Sequence, residues 1–154
     1  MKEYTCCFSG HRKLPILKYL RIRFKTYREI CRLIETGVIY FGCGGAIGFD
    51  TLAAKCVLKA KKKYPHIKLI MVYPCKDQTL YWSKKNKRSY EIIKSQCDKY
   101  IYITEKYSFD CMYKRNKHLV DNSNYCICYL TQQKGGTYQT VNYAYKKGLT
   151  VINI

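Results

Sequence analysis

Glycine, hydroxyl and basic residues come together at three places in the chain: Ser9-Gly10-His11-Arg12, Gly44-Gly45-Ala46-Ile47-Gly48-Phe49-Asp50 and Gly135-Gly136-Thr137-Tyr138-Gln139-Thr140. Each lies where an apolar, strand-like run gives way to a helix-like run. Glycine lets backbone approach a ligand closely, and a helix start offers free N–H groups at the positive end of its dipole. The chemistry expected of such turns is phosphate binding.

In the first turn Ser9 brings a hydroxyl, Gly10 a bare backbone N–H and Arg12 a guanidinium able to donate two parallel hydrogen bonds to phosphate or ribose. The alternative is a capped helix entry with exposed basic residues. His11 could carry a proton, but no partner for it is visible, so no catalytic residue is assigned. In the second turn Gly44, Gly45 and Gly48 read as a tight turn opening a helix. It is not the dinucleotide fingerprint, which needs G-x-G-x-x-G after the first strand and an acidic residue about twenty positions on, and no Gly-Lys-Ser/Thr follows to make a P-loop. No cofactor is implied. Asp50 either caps that helix or holds a ligand hydroxyl. The third turn has the clearest anion-binding chemistry, because Gly135 and Gly136 expose N–H groups while Thr137 and Thr140 add hydroxyl donors. Arg115-Asn116 falls within a predicted helix and would by itself be a surface pair.

The elements that position these residues alternate. Strands are predicted over residues 4–8, 38–43, 67–73, 100–103, 125–130 and 149–152, and helices over 17–35, 49–62, 83–96, 110–121 and 137–147. In the first helix Leu17, Leu20, Phe24, Tyr27, Cys31 and Ile34 recur at three and four, the period of a core-facing stripe. Ala53, Ala54 and Ala60 would let the second helix pack closely on a sheet. Strand–helix alternation implies one α/β, Rossmann-like domain over residues 1–154, with a mostly parallel sheet and helices on both faces. Such sheets bind ligands beyond the carboxyl ends of their strands, where all three turns and the 74–82 connection fall.

Composition narrows the class. The chain has 154 residues, 47% hydrophobic and 25% charged, enough for one buried core. No run of about 18 apolar residues is present, so no membrane span is expected. Met1-Lys2-Glu3 leads straight into a strand, without the pattern of a signal peptide, which points to the cytoplasm. The ten cysteines include no C-x-x-C pair. Cys6 and Cys7 should face opposite sides of a strand, and Cys126 and Cys128 the same side among apolar neighbours, so reduced structural thiols are expected and no metal site. Lys and Arg total 29 against 10 acidic residues, a net charge of +19 that would draw in polyanions. The charge is scattered, and most of it reads as solvated surface.

Taken in order, Cys6-Cys7-Phe8-Ser9-Gly10-His11-Arg12, the Gly44–Asp50 turn, Arg115-Asn116 and Gly135-Gly136-Thr137 with Thr140 resemble the SLOG superfamily, in particular its small YpsA-like branch. Pro74-Cys75 with Gln78 and Trp82 extends the resemblance, which runs nearly end to end. The DNA-processing protein A family and the LOG-type phosphoribohydrolases are relatives. The resemblance implies a pocket for a nucleotide or nucleotide-derived ligand, with Gly44, Gly45, Gly135, Gly136 and Thr137 around phosphate. Arg12 and Arg115 would be its charged partners and Asn116 a polar one. Gln78 and Trp82 would form a wall, with Trp82 able to stack on a base. Relatives of this kind often associate, so a homodimer is expected.

LOG-type enzymes resemble P-G-G-x-G-T-x-x-E at the last turn, where the glutamate supports cleavage of an N-glycosidic bond. Here Lys134 replaces the proline, Gln139 the threonine and Asn142 the glutamate. Asparagine cannot act as a general acid or base. Asp50 and Asp77 are the carboxylates that could stand in. The leading expectation is therefore a domain that binds a phosphate-bearing, ADP-ribose-like nucleotide derivative as a sensor or sequestering protein. The alternatives are a nucleoside-phosphate N-glycoside hydrolase and a single-stranded nucleic-acid binder, the latter suggested by the charge and 17 tyrosines.

Overall fold

A computed structural model describes residues 1–154. The strands are β1 (Thr5–Gly10), β2 (Tyr40–Cys43), β3 (Lys68–Cys75), β4 (Lys99–Thr104), β5 (Tyr125–Tyr129) and β6 (Thr150–Asn153). The helices are α1 (Tyr19–Glu35), α2 (Phe49–Lys63), α3 (Lys84–Gln96), α4 (Cys111–Asp121) and α5 (Gly135–Lys146). The strands form one sheet in the order β4-β3-β2-β1-β5-β6, every adjacent pair parallel. The expected α/β architecture is thus observed. No helix is long and apolar enough to cross a membrane.

Alternation along the strands splits the interior in two. Cys6, Phe8, Met71, Tyr73 and Ile127 point into a 24-residue core beneath α1, α2 and α3. Cys7, Val72, Cys126 and Cys128 point the other way, into a 9-residue core beneath α4 and α5. The paired cysteines therefore sit as the period of 2 requires, and all ten are free thiols. Ala53, Ala54 and Ala60 are fully buried, which brings α2 close to the sheet.

The expected stripe of the first helix holds only in its second half, where Ile34 is buried and Tyr27 and Cys31 pack against the larger core. Ile22, Thr26, Ile30, Leu33 and Ile34 are its buried residues, whereas Leu17, Leu20 and Phe24 are exposed. Two apolar stripes run along α1. Spacing alone fits both, and the crossover that joins β1 to β2 selects the one that faces the sheet.

Two element boundaries also move. β1 runs on through Ser9 and Gly10, which pair with Cys128 and Tyr129 of β5, so the strand carries the first half of the presumed turn. α5 starts at Gly135 rather than Thr137, which makes both glycines part of its first turn.

From β1 the chain winds outward through β2, β3 and β4 and then returns to place β5 on the other side of β1. The connections leaving β1 and β5 diverge at their carboxyl ends, which opens a crevice there.

Candidate functional site

That crevice is a cavity of about 270 Å³. Ser9, Gly10, His11 and Arg12 form the wall at the end of β1. Arg115, Asn116 and Met112 come from α4, Gly135, Gly136 and Thr137 from the start of α5, and Ala46 and Asp50 from the second turn. Gln132 and Lys134, in the loop before α5, complete the rim with an amide and an ammonium. The cations Arg12, Arg115 and Lys134 face a single carboxylate, Asp50.

The first two turns are keyed into each other. The Phe49 N–H donates to the His11 carbonyl at 3.1 Å. A Cβ on Gly10 would overlap the Phe49 ring, and one on Gly48 would overlap the Arg12 carbonyl. Gly48 also has φ +81, a backbone region L side chains rarely adopt. His11 completes the junction from the other side. Its Nε2 accepts the Thr131 N–H at 3.0 Å, and its ring stands edge-on to Tyr129 at 5.9 Å. The imidazole thus ties the end of β1 to the segment that follows β5.

Arg115 is the charged centre. Far from being a surface residue, it is only 5% exposed. Its Nη1 donates to the Gly44 carbonyl, its Nε to Asn116 Oδ1 at 2.7 Å, and its Nη2 to the Met112 sulfur at 3.9 Å. A Cβ on Gly44 would overlap this guanidinium. Thioether sulfur is a weak acceptor, and no carboxylate approaches within ion-pair distance of Arg115, so a buried cation faces the cavity without a contacting counter-charge. Arg12, exposed at the rim, directs its Nη2 at the same sulfur, also at 3.9 Å.

Asp50 neither caps α2 from the N-cap position, which is Gly48, nor stands free. It accepts the Ala46 N–H through Oδ2 at 3.1 Å and so braces the second turn. Burial pushes its carboxyl above the ordinary carboxylate value, against the opposing pull of Arg115, the Ala46 N–H and Arg12. The same desolvation pushes the Arg115 guanidinium down.

The α5 end is built differently. No side chain caps the helix, and a Cβ on Gly135 or Gly136 would meet nothing within 4 Å. Gly135, Gly136 and Thr137 line the cavity, and no side chain fills the space beside the first turn of the helix.

Several predicted residues lie elsewhere. Gly44, Gly45 and Gly48 do not line the cavity and instead make room for Arg115, Tyr73 and the Arg12 backbone. Gln78 is buried behind the second turn, where its Nε2 donates to the Gly45 carbonyl at 3.3 Å. Trp82 packs edge-on against Tyr90 at 5.8 Å, half-buried against the larger core. Thr140 donates to the Gly136 carbonyl at 2.8 Å, within its own helix. Asn142 and Asp77 are not among the lining residues either, and Asp77 Oδ1 accepts the Tyr107 N–H at 3.0 Å. Sequence reasoning missed Met112, Gln132 and Lys134 as cavity residues. Met112 could have been found one turn before Arg115 on the same helix face.

Comparison with known proteins follows this geometry. A family model described as the YspA SLOG family, YpsA, matches residues 8–150. The chain belongs to the YpsA SLOG family. Among its relatives is an uncharacterized SPbeta prophage-derived protein, YoqJ, of Bacillus subtilis, 39% identical over 140 residues that make up 82% of each chain. A UPF0398 protein of Halalkalibacterium halodurans is 28% identical over 123 residues, 79% of this chain and 64% of that one. The SLOG fold here is also similar to DNA processing protein A from Helicobacter pylori, whose structure is described for its single-stranded DNA binding mode. That likeness has a TM-score of 0.69 at 20% identity, over 97% of this chain and 64% of the other. The DNA processing protein A of Streptococcus pneumoniae gives 0.70 at 18% identity, over 97% and 50%. This SLOG chain thus spans between half and two-thirds of those two proteins.

Proposed function

We propose that the cavity binds the phosphate of a nucleotide or nucleotide-derived, ADP-ribose-like molecule, and that the protein serves in the cytoplasm as a sensor or sequestering domain for it. The observation that carries this reading is the buried Arg115 guanidinium facing the open N-terminal turn of α5 without a contacting carboxylate. A phosphate between them would supply the missing counter-charge and accept from the Gly135–Thr137 N–H groups. Arg12 and Lys134 would close over it from the rim. Asp50, the one carboxylate lining the cavity, would accept from a ribose hydroxyl.

Titration calorimetry with ADP-ribose and AMP tests the reading. Wild-type protein should bind, and both Arg12→Ala and Arg115→Met should weaken binding while circular dichroism shows an intact fold. Unchanged affinity in both variants removes the pocket.

A second reading has support in the net charge of +19 and in the similarity to a fold whose Helicobacter pylori example binds single-stranded DNA. If the same cavity takes a phosphate of a polynucleotide, oligonucleotide affinity should fall steeply with salt and resist competition by AMP. A salt-insensitive interaction displaced by AMP supports the first reading instead.

A further inference from the structure

Beside the cavity, the facing sides of α4 and α5 enclose a groove of about 220 Å³. Phe109, just before α4, is 94% exposed, and Tyr113 is 59% exposed, and both line this groove. Large aromatic faces left in water on adjacent turns are not accounted for by either core. The groove adjoins the cavity, because Met112, Asn116 and Gly136 line both.

We propose that this groove holds the nucleobase of the ligand whose phosphate sits at the start of α5. The inference rests on the phosphate-binding reading given above and adds where the base goes. Phe109 and Tyr113 offer ring faces for stacking, which tolerates any base and is a strong contribution per nucleotide. Asn116 stands at the junction: its Oδ1 is engaged by Arg115 Nε, which orients the amide N–H groups away from the guanidinium and leaves them free to donate. Gln139, exposed on the α5 side of the groove, adds a second amide. Trp82 cannot play this part from its place against Tyr90 on the far side of the sheet. The site is thereby assigned to a base-bearing phosphate ester rather than to a free sugar phosphate.

The test uses AMP and ribose 5-phosphate as probes on wild-type protein, on the Phe109→Ala/Tyr113→Ala double variant and on Trp82→Phe. Both aromatic rings are largely in solvent, so the double variant should melt within a few degrees of wild type. Wild type is expected to bind AMP more tightly than ribose 5-phosphate. The double variant should lose about tenfold or more in AMP affinity while its ribose 5-phosphate affinity stays within about twofold, and Trp82→Phe should change neither ratio. Equal losses for the two probes, or no loss for either, overturn the base groove alone. Wild-type protein that binds neither probe overturns the phosphate reading and the groove with it.

Discussion

At Gly44, Gly45 and Gly48 an added Cβ would overlap or crowd the Arg115 guanidinium, the Tyr73 ring and the Arg12 backbone, whereas at Gly135 and Gly136 it would meet nothing within 4 Å. Both stretches are glycine turns leading into a helix at the same sheet edge. In the second turn the missing side chains are replaced by the protein's own atoms. In the third the space stays open to the cavity. Absence of a Cβ therefore serves assembly in one place and leaves space in the other, although Gly135 at φ +90 also meets a backbone need that Gly136 does not.

The difference can be broken by substitution. Gly48→Ala should have the largest effect, since it combines a strained φ with overlap against backbone that cannot move aside. A loss of roughly 3 kcal/mol or more in denaturant-measured stability is expected. A variant as stable as wild type would mean the first two turns are not keyed together as described. Arg115→Met comes next. It keeps the stem's volume but takes the donor away from the buried Gly44 carbonyl, so stability should fall by about 1–3 kcal/mol with the fold intact, while AMP affinity falls about 30-fold, near 2 kcal/mol, the range for a hydrogen bond to a charged group.

Gly136→Ala should do the reverse of Gly48→Ala. Alanine suits a helix better than glycine, so stability should hold or rise slightly. The new methyl would stand at the mouth of the anion site and lower AMP affinity about tenfold, near 1.4 kcal/mol. Equal binding by this variant would take phosphate away from the α5 terminus.

The smallest expected effect concerns pH. Because burial raises the Asp50 pKa in the folded state, the native protein holds a proton there more readily than the unfolded chain does. Stability contributed by this residue is thus present below the ordinary carboxylate value and declines as pH rises through the raised one. Asp50→Asn can keep the bond from the Ala46 N–H without that decline. Its stability relative to wild type should climb through this window and level off above it, as followed by urea melts at a series of pH values. A flat difference across the range would place Asp50 in a more solvated setting than the structure shows.

How much of this was legible in advance differs by residue. The alternation of apolar runs was enough for a parallel α/β sheet, because crossovers between parallel strands leave few other arrangements. The clustering of the three turns followed from that topology. Ser9, Gly10, His11, Arg12, Arg115, Asn116 and Gly135–Thr137 were all recognised and do share one cavity. Gln78 and Trp82 were expected to form a wall of the pocket and lie outside the cavity, since a connection's position in sequence does not say which way its side chains face. Leu17, Leu20 and Phe24 were read as core and are exposed, while Tyr27, Cys31 and Ile34 of the same stripe do pack on or into the core.

By itself, then, the amino-acid sequence determined what is periodic or local: strand and helix order, the facing of paired cysteines, and where the glycine turns fall. The tertiary structure alone decided that Arg115 is buried, that His11 bridges β1 and β5, and that one glycine turn is filled while the other is open. Those properties depend on contacts between residues far apart in the chain, such as Gly44 with Arg115 and His11 with Thr131, which exist only once the sheet has brought the strand ends together.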